Sequence, residues 1–431
     1  MSLSAKRYGA LGARDLIVWG LAILLMLGAP LVFTSSLAIT MLSQMGIAIV
    51  ACLSYNMLLG QGGMLSFGHA VYSGLGSFVA IHALKAVGGG TLPVPVSLIP
   101  LVGGVAGLGF AVLLGFVTTK KAGTTFSMIT LGIGELVFAM SLMVPEFFGG
   151  EAGVNANRVV GKAALGITFG PQIQVYYLLA LYTLVCTAGM YAYTRTPLGR
   201  MLNAVRDNPE RVEFTGYNTQ RVRYFSFIIA GFFAGIAGGM YALNFEIATA
   251  EVVGAGRSGA YLLFTFLGGA TFFFGPIIGA VLMVLAFVLL SEFTKAWLLY
   301  LGGVFMLMVM YAPGGLASLI MMNVRVAKFG KFGGLLGSYA ALAVTGLLAF
   351  CGVSSMIEMV YHLQLNEALG PVMRFMGVEL NAASSASWLG AAALASVGGG
   401  LFMRVRRRFA QRWGDVQGEI EAAIRAKETA L

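Results

Sequence analysis

Long apolar runs with hardly a charge inside them recur along this 431-residue chain, and they decide what it can fold into. In a bilayer the useful unit is a helix of about 20 apolar residues. Composition agrees: 58% of residues are hydrophobic and 10% charged, against roughly 25% charged in soluble domains. The chain therefore reads as an all-α polytopic membrane protein, and its organisation follows from counting spans.

Apolar runs at 16–33, 37–59, 69–84, 96–118, 125–148 and 173–194 lead to a charged centre. Basic residues stand before the first run (Lys6, Arg7, Arg14), after the fourth (Lys120, Lys121) and after the sixth (Arg195, Arg200, Arg206, Arg211). Even numbers of crossings separate them, so all share one side, the cytoplasmic one by the positive-inside bias. Runs at 224–245, 259–292 and 297–320 follow, and then Arg325, Lys328 and Lys331. That cluster keeps the parity only if 259–292 crosses twice. Its ~33 residues would be ~50 Å long as one helix, and Gly275 and Pro276 interrupt it.

Split there, residues 1–331 form a core of about ten spans with broken or short helices, and 195–222 is its charged cytoplasmic segment. The extension 332–431 adds runs at 335–353 and 386–403, an extracytoplasmic loop, and a basic tail from Arg404 to Trp413. Both termini are expected on the cytoplasmic side. No small-residue cleavage pattern follows the cationic start, so the first run reads as a retained anchor.

Several function classes fall away. The net charge of +10 belongs to cytoplasmic loops and does not call for nucleic acid. The three cysteines, Cys52, Cys186 and Cys351, lie far apart inside apolar runs, and neither a disulfide nor a metal site is expected. No cluster of His, Cys or paired carboxylates supplies a catalytic set, so no catalytic or metal residue is assigned. The phosphate-binding pattern G-x-x-x-x-G-K-[ST] is missing: Gly161-Lys162 is followed by Ala163, and Ala156 stands at the first glycine position. No cofactor is expected on this chain.

Two glycine-rich breaks resemble each other. "LLGQGGMLSFGHA" carries Gly60, Gly62 and Gly63, then Ser66, Phe67, Gly68 and His69; "FLGGATFFFGPIIGA" carries Gly268, Gly269, Gly275 and Pro276. Broken helices at corresponding places in two halves point to a translocation path, although close packing of small residues also explains them. His69 suits polar lining or a helix cap better than a metal. Glu135, in "TLGIGELVF", is a costly carboxylate within a span: either part of the path or a structural hydrogen-bonding group.

The charged centre contains two helix starts, Thr196-Pro197 and Asn208-Pro209, and Gly216 can end the second by adopting left-handed geometry. A helix of about two turns is not stable alone, so something must hold it. Glu210, Arg211 and Glu213, interleaved with Val212, Phe214 and Tyr217, suit a surface that docks on a soluble partner. A solvated turn lying on headgroups is the plainer alternative.

Six stretches in order, "NMLLGQGGMLSFGHAVYSGLGSF", "GTTFSMITLGIGELVF", "GGEAGV", "TPLGRMLNAVRDNPERVEFTGYN", "IIAGFFAGIAGGMYA" and "LGGATFFFGPIIGA", resemble the LivM-type permeases of branched-chain amino acid importers driven by ATP-binding cassettes. The resemblance runs over about residues 40 to 320. It implies a permease subunit in a bacterial inner membrane, paired with a second homologous permease, two ATPase subunits that bind ATP and Mg²⁺, and a periplasmic solute-binding protein. It also implies that Pro209 to Gly216, with Asn208 and with Arg200 and Arg206 before them, couple the ATPase to the pore. Arg158, Lys162 and Arg257, on the expected outer side, suit contacts with an acidic binding protein, or simple exposure. The alternative from another class is a secondary transporter or channel driven by an ion gradient.

Overall fold

A computed structural model describes residues 13–160, 168–365, 370–375 and 377–429. All eleven apolar runs lie on helices. In chain order these are α1 (Ala13–Val32), α2 (Ser36–Gly62), α3 (Ala70–Gly88), α4 (Ile99–Thr118), α5 (Thr124–Met143) and the single turn α6 (Pro145–Phe148). Strand β1 (Val154–Asn155) precedes α7 (Gln172–Arg195), α8 (Pro197–Asp207), α9 (Pro209–Phe214) and α10 (Thr219–Phe245). Strand β2 (Ile247–Ala248) leads to α11 (Ala255–Gly268), α12 (Gly275–Leu285), α13 (Ser291–Phe293), α14 (Trp297–Tyr311), α15 (Gly315–Lys328) and α16 (Phe332–Leu365). A hairpin of β3 (Val372–Phe375) and β4 (Val378–Asn381) enters α17 (Ser385–Thr429).

Among the described residues nine helices are long and apolar enough to cross a bilayer, and α14 with α15 makes a tenth, bent by 52°. The expected run 297–320 is thus broken, because Pro313 has no N–H to donate and Gly315 adopts φ +68°. The run 259–292 divides as expected, into α11 of 14 residues and a span Gly275–Phe293 of 19. Five residues of π-helix, Ala286–Leu290, join α12 to α13 within that span.

Packing divides the chain into two compact units, the described residues through Leu285 with Gly314–Leu316, and Ala286–Pro313 with Ala317 onward. In the first, α10 lies against α2, α3 and α4. A Cβ on Gly235 would overlap the backbone of Gly103 in α4, and one on Gly238 would overlap the Ser73 carbonyl in α3. Helix axes come this close because association in lipid relies on dispersion between small residues. Phe78, Ile81 and Leu84 of α3 pack with Ile99, Phe148, Leu243 and Val253 towards one end. There β1 pairs antiparallel with β2, Val154 opposite Ala248.

In the second unit α16 and α17 pack along their lengths, with Gly352 against Ala395 and Gly398 against Ala349. Val326, Leu335 and Ile420 cluster at one end, beside the ion pair Lys331–Glu419 at 2.7 Å. Met359, Ala382 and Ala391 cluster at the other. Helix α16 runs past its apolar stretch to Leu365, and α17 continues unbroken through the basic tail for 45 residues. The tail, rich in Arg, Ala and Glu, favours helix strongly enough to prolong the span.

Candidate functional site

The charged centre is built from local caps. Thr196 Oγ1 accepts from Gly199 N at 3.2 Å and opens α8. Asn208 Oδ1 accepts from Arg211 N at 2.9 Å and opens α9, with Pro209 in its first turn. Gly216, at φ +88°, turns the chain away, and its N–H donates to the Glu213 carbonyl at 2.9 Å. What holds this six-residue helix is also visible. Val212 is buried, Thr215 Oγ1 donates to its carbonyl at 2.7 Å, and Thr219 Oγ1 donates to Glu213 Oε1 at 2.8 Å. Pro209, Glu210, Arg211 and Glu213 remain exposed, and Phe214 is 90% exposed.

The first glycine-rich break is a helix stop. Gly63 takes φ +63°, and the N–H groups of Gly63 and Met64 close back on Leu59 and Leu58 at 3.0 and 2.9 Å. The chain then runs without helix to His69 before α3 starts. Hydroxyls from other helices satisfy its backbone. Ser127 Oγ donates to Leu65 O at 2.7 Å, Phe67 N donates to Thr130 Oγ1 at 3.1 Å, and Tyr55 OH donates to Ser66 O at 3.0 Å. Ala70 N donates to Ser258 Oγ at 3.0 Å. Gly68 lies so close to the Thr130 carbonyl that a Cβ would overlap it.

His69 is fully buried, with Nε2 2.9 Å from Ser54 Oγ. Ser54 donates its own proton to the Ala51 carbonyl, so Nε2 is the donor in this pair and Nδ1 is the bare nitrogen. No group among the described residues donates to Nδ1. His69 is therefore fixed by its ring bond to Ser54, and its side chain makes no helix-cap hydrogen bond.

The second break brings Gly268, Gly269 and Gly275 together, since a Cβ on Gly268 or on Gly275 would strike the other segment's backbone. Pro276 is buried in the first turn of α12. The two breaks meet at Gly60, where a Cβ would overlap the Ala270 carbonyl. The coupling segment meets them there too. Arg206 Nη1 of α8 donates to the Gly60 carbonyl, the Arg206 side chain covers Gly63, and Leu202 lies against Gly62. Residues read from sequence as two separate sets are thus one connected assembly. Arg200 is exposed on α8. The hydroxyls of Ser127, Thr130 and Ser258 were not singled out from sequence, and their only signal was polarity within apolar runs.

Glu135 is elsewhere. The buried stripe of α5 is Phe126, Ser127, Thr130, Gly134, Val137 and Ser141, and Glu135 is on the exposed face with Met128 and Leu136. No hydrogen bond or ion pair to it occurs among the described residues, so the structural alternative finds no partner within them.

Arg158 departs from expectation. It is buried, not exposed. Its guanidinium donates to the carbonyls of Phe169, Leu243, Asn244 and Gly170 and to Gln172 Oε1 at 2.8–3.3 Å. Its N–H donates to Glu246 Oε1 at 2.7 Å. Two of its five donors close the carbonyl end of α10 and three bind the segment 169–172, which leaves none for a docking protein. Arg257 is half-buried over the Tyr241 ring, and Lys162 lies outside the described residues.

Residues 37–313 match the family model described as the permease component of branched-chain amino acid transport systems. The chain is 28% identical over 294 residues to the high-affinity branched-chain amino acid permease protein LivM of Salmonella typhimurium, covering 63% of this chain and 67% of that one. The LivM protein of Escherichia coli is 26% identical over the same shares. A probable LivH permease of Methanocaldococcus jannaschii is 26% identical over 57% of this chain and 79% of its own. No solved structure shows a significant match. With nearly all of α2 through to α14, both glycine-rich breaks and the charged centre inside the matched region, the chain belongs to the permease-component family of branched-chain amino acid transport systems.

Proposed function

We propose that the chain is the transmembrane subunit of an importer driven by ATP-binding cassettes. It forms, with a second permease, the path for a branched-chain amino acid or similar small solute that a periplasmic binding protein delivers. ATP and Mg²⁺ belong to separate ATPase subunits, and both termini of this chain lie on the ATPase side. The observation that carries the reading is the contact of Arg206 with Gly60, which ties a capped, exposed helix to the place where both helix breaks meet.

A push on α9 is delivered through α8, because Thr196 and Asn208 cap the two helices end to end. Arg206 and Leu202 then bear on Gly60 to Gly63, and Gly60 bears on the loop at Ala270. Phe214 supplies the apolar anchor that a docking cleft would take, with Glu210 and Arg211 around it. The exposure of Glu135 on α5 supports a role for it along the path. That carboxylate also supports the gradient-driven reading, so the two are set against each other by one experiment. The protein is purified gently from its native membrane, its companions are identified by mass spectrometry, and uptake is measured in liposomes. Companion ATPases and ATP-dependent uptake are expected. A chain that purifies alone and moves solute under an ion gradient without ATP would sink the proposal.

A further inference from the structure

The second unit holds a site that the transport reading does not use. Within the second unit, the segment before α14, the far end of α16 and the β3–β4 hairpin border an open cavity of about 360 Å³. Lys295, Glu358, Tyr361, His362, Val372 and Arg374 line it. Glu358 stands about 39 Å of helix beyond Phe332, farther than the ~30 Å hydrocarbon layer. The cavity is therefore at headgroup level on the membrane face opposite Lys328 and Lys331. Trp297, Tyr300 and Trp388 stand at the same end, as interfacial aromatics do.

Its charges are kept apart. Glu358 Oε1 accepts from the Thr294 hydroxyl and from Tyr300 OH, the latter at 3.1 Å. These bonds hold the carboxylate in place, and no hydrogen bond reaches Oε2 among the described residues. His362 donates from Nε2 to the Gly370 carbonyl at 2.9 Å, which fixes the ring on the cavity wall. Lys295 and Arg374, exposed on two other elements, form no ion pair among the described residues. Two cations and one carboxylate thus share a cavity without neutralising one another.

We propose that this cavity binds a small zwitterion, with its anionic group on Lys295 and Arg374 and its primary ammonium on Glu358. An ammonium brings three donors to a fixed carboxylate, and a guanidinium matches a phosphate or carboxylate in two-point geometry. Two sources carry this chemistry at a membrane surface: a phosphatidylethanolamine headgroup and a free α-amino acid. The exposed apolar residues Leu347, Phe350 and Val353, on the membrane side of Glu358 in α16, give the first source a place for its acyl chains.

The test uses the purified full chain in detergent. Retention of phosphatidylethanolamine, phosphatidylglycerol and phosphatidylcholine is compared by native mass spectrometry, and leucine binding is measured by calorimetry. If the lipid is the occupant, phosphatidylethanolamine is retained about tenfold more tightly than the other two. Glu358→Gln, which keeps an acceptor for Thr294 and Tyr300, removes that preference. The double variant K295A/R374A removes retention as well. Leucine binding that both variants abolish identifies the free amino acid instead. Equal retention of the three lipids without leucine binding overturns the proposal, as does a preference or a leucine signal that survives both variants.

Discussion

The guanidinium of Arg206, next to the last residue of α8, donates to the carbonyl of Gly60 in the last turn of α2. That carbonyl belongs to the four that a helix leaves unpaired at its end, where a cation is also favoured by the helix dipole. Arg206 also pairs with Asp207 at 2.9 Å, which steadies the head of its side chain. Arg206 is 37% exposed, so water screens the bond and its loss should cost only about 1 kcal/mol. Arg206→Ala should therefore leave the melting temperature nearly unchanged while ATP-driven uptake falls severalfold and hydrolysis by the assembled complex continues. Parallel loss of uptake and hydrolysis would count against a transmitting role.

Phe214 is 90% exposed, so its ring buries little against the described residues. Phe214→Ala should insert and melt as the parent does but lose its ATPase companions, with affinity weakened by about 2 kcal/mol or roughly thirtyfold if Phe214 is an anchor. Pull-down yield at matched expression checks this. Undiminished co-purification would remove Phe214 from the docking surface.

Two glycine-to-alanine changes should differ in sign. At Gly60 the new methyl meets the Ala270 carbonyl and Asn56 Oδ1, and overpacking against backbone should destabilise by about 1–3 kcal/mol. At Gly109, in α4, nothing lies within 4 Å, and the gain in helix propensity should stabilise by about 0.5–1 kcal/mol. Thermal melts of the two variants in the same detergent decide it, and equal shifts would contradict the close approach of the two breaks.

Arg158→Ala should be among the most damaging single changes in the outer region. It strips the partners from the buried carbonyls of Leu243 and Asn244 and from Gln172, at a cost of about 3 kcal/mol or more. Arg158→Lys should recover only part, because one ammonium cannot reach five acceptors on two segments. Proteolysis of the 149–172 loop under native conditions reads the outcome. A loop as resistant in R158A as in the parent would refute the lock.

Helices and their ends were legible because the interactions that make them are short in sequence. A run of about 20 apolar residues declares a span by itself, and Asn208 caps a donor only three positions away. Gly63 and Gly216 mark left-handed turns through their own backbone freedom. Tertiary structure alone decided which of these pieces meet. Arg206 and Gly60 are 146 positions apart, Ala70 and Ser258 are 188 apart, and Phe67 and Thr130 are 63 apart. In a bilayer the lipid-facing and buried sides of a helix are almost equally apolar, so hydropathy does not say which face packs. The same reasoning explains Arg158, which reads as an exposed loop charge until the end of α10 supplies the carbonyls that bury it.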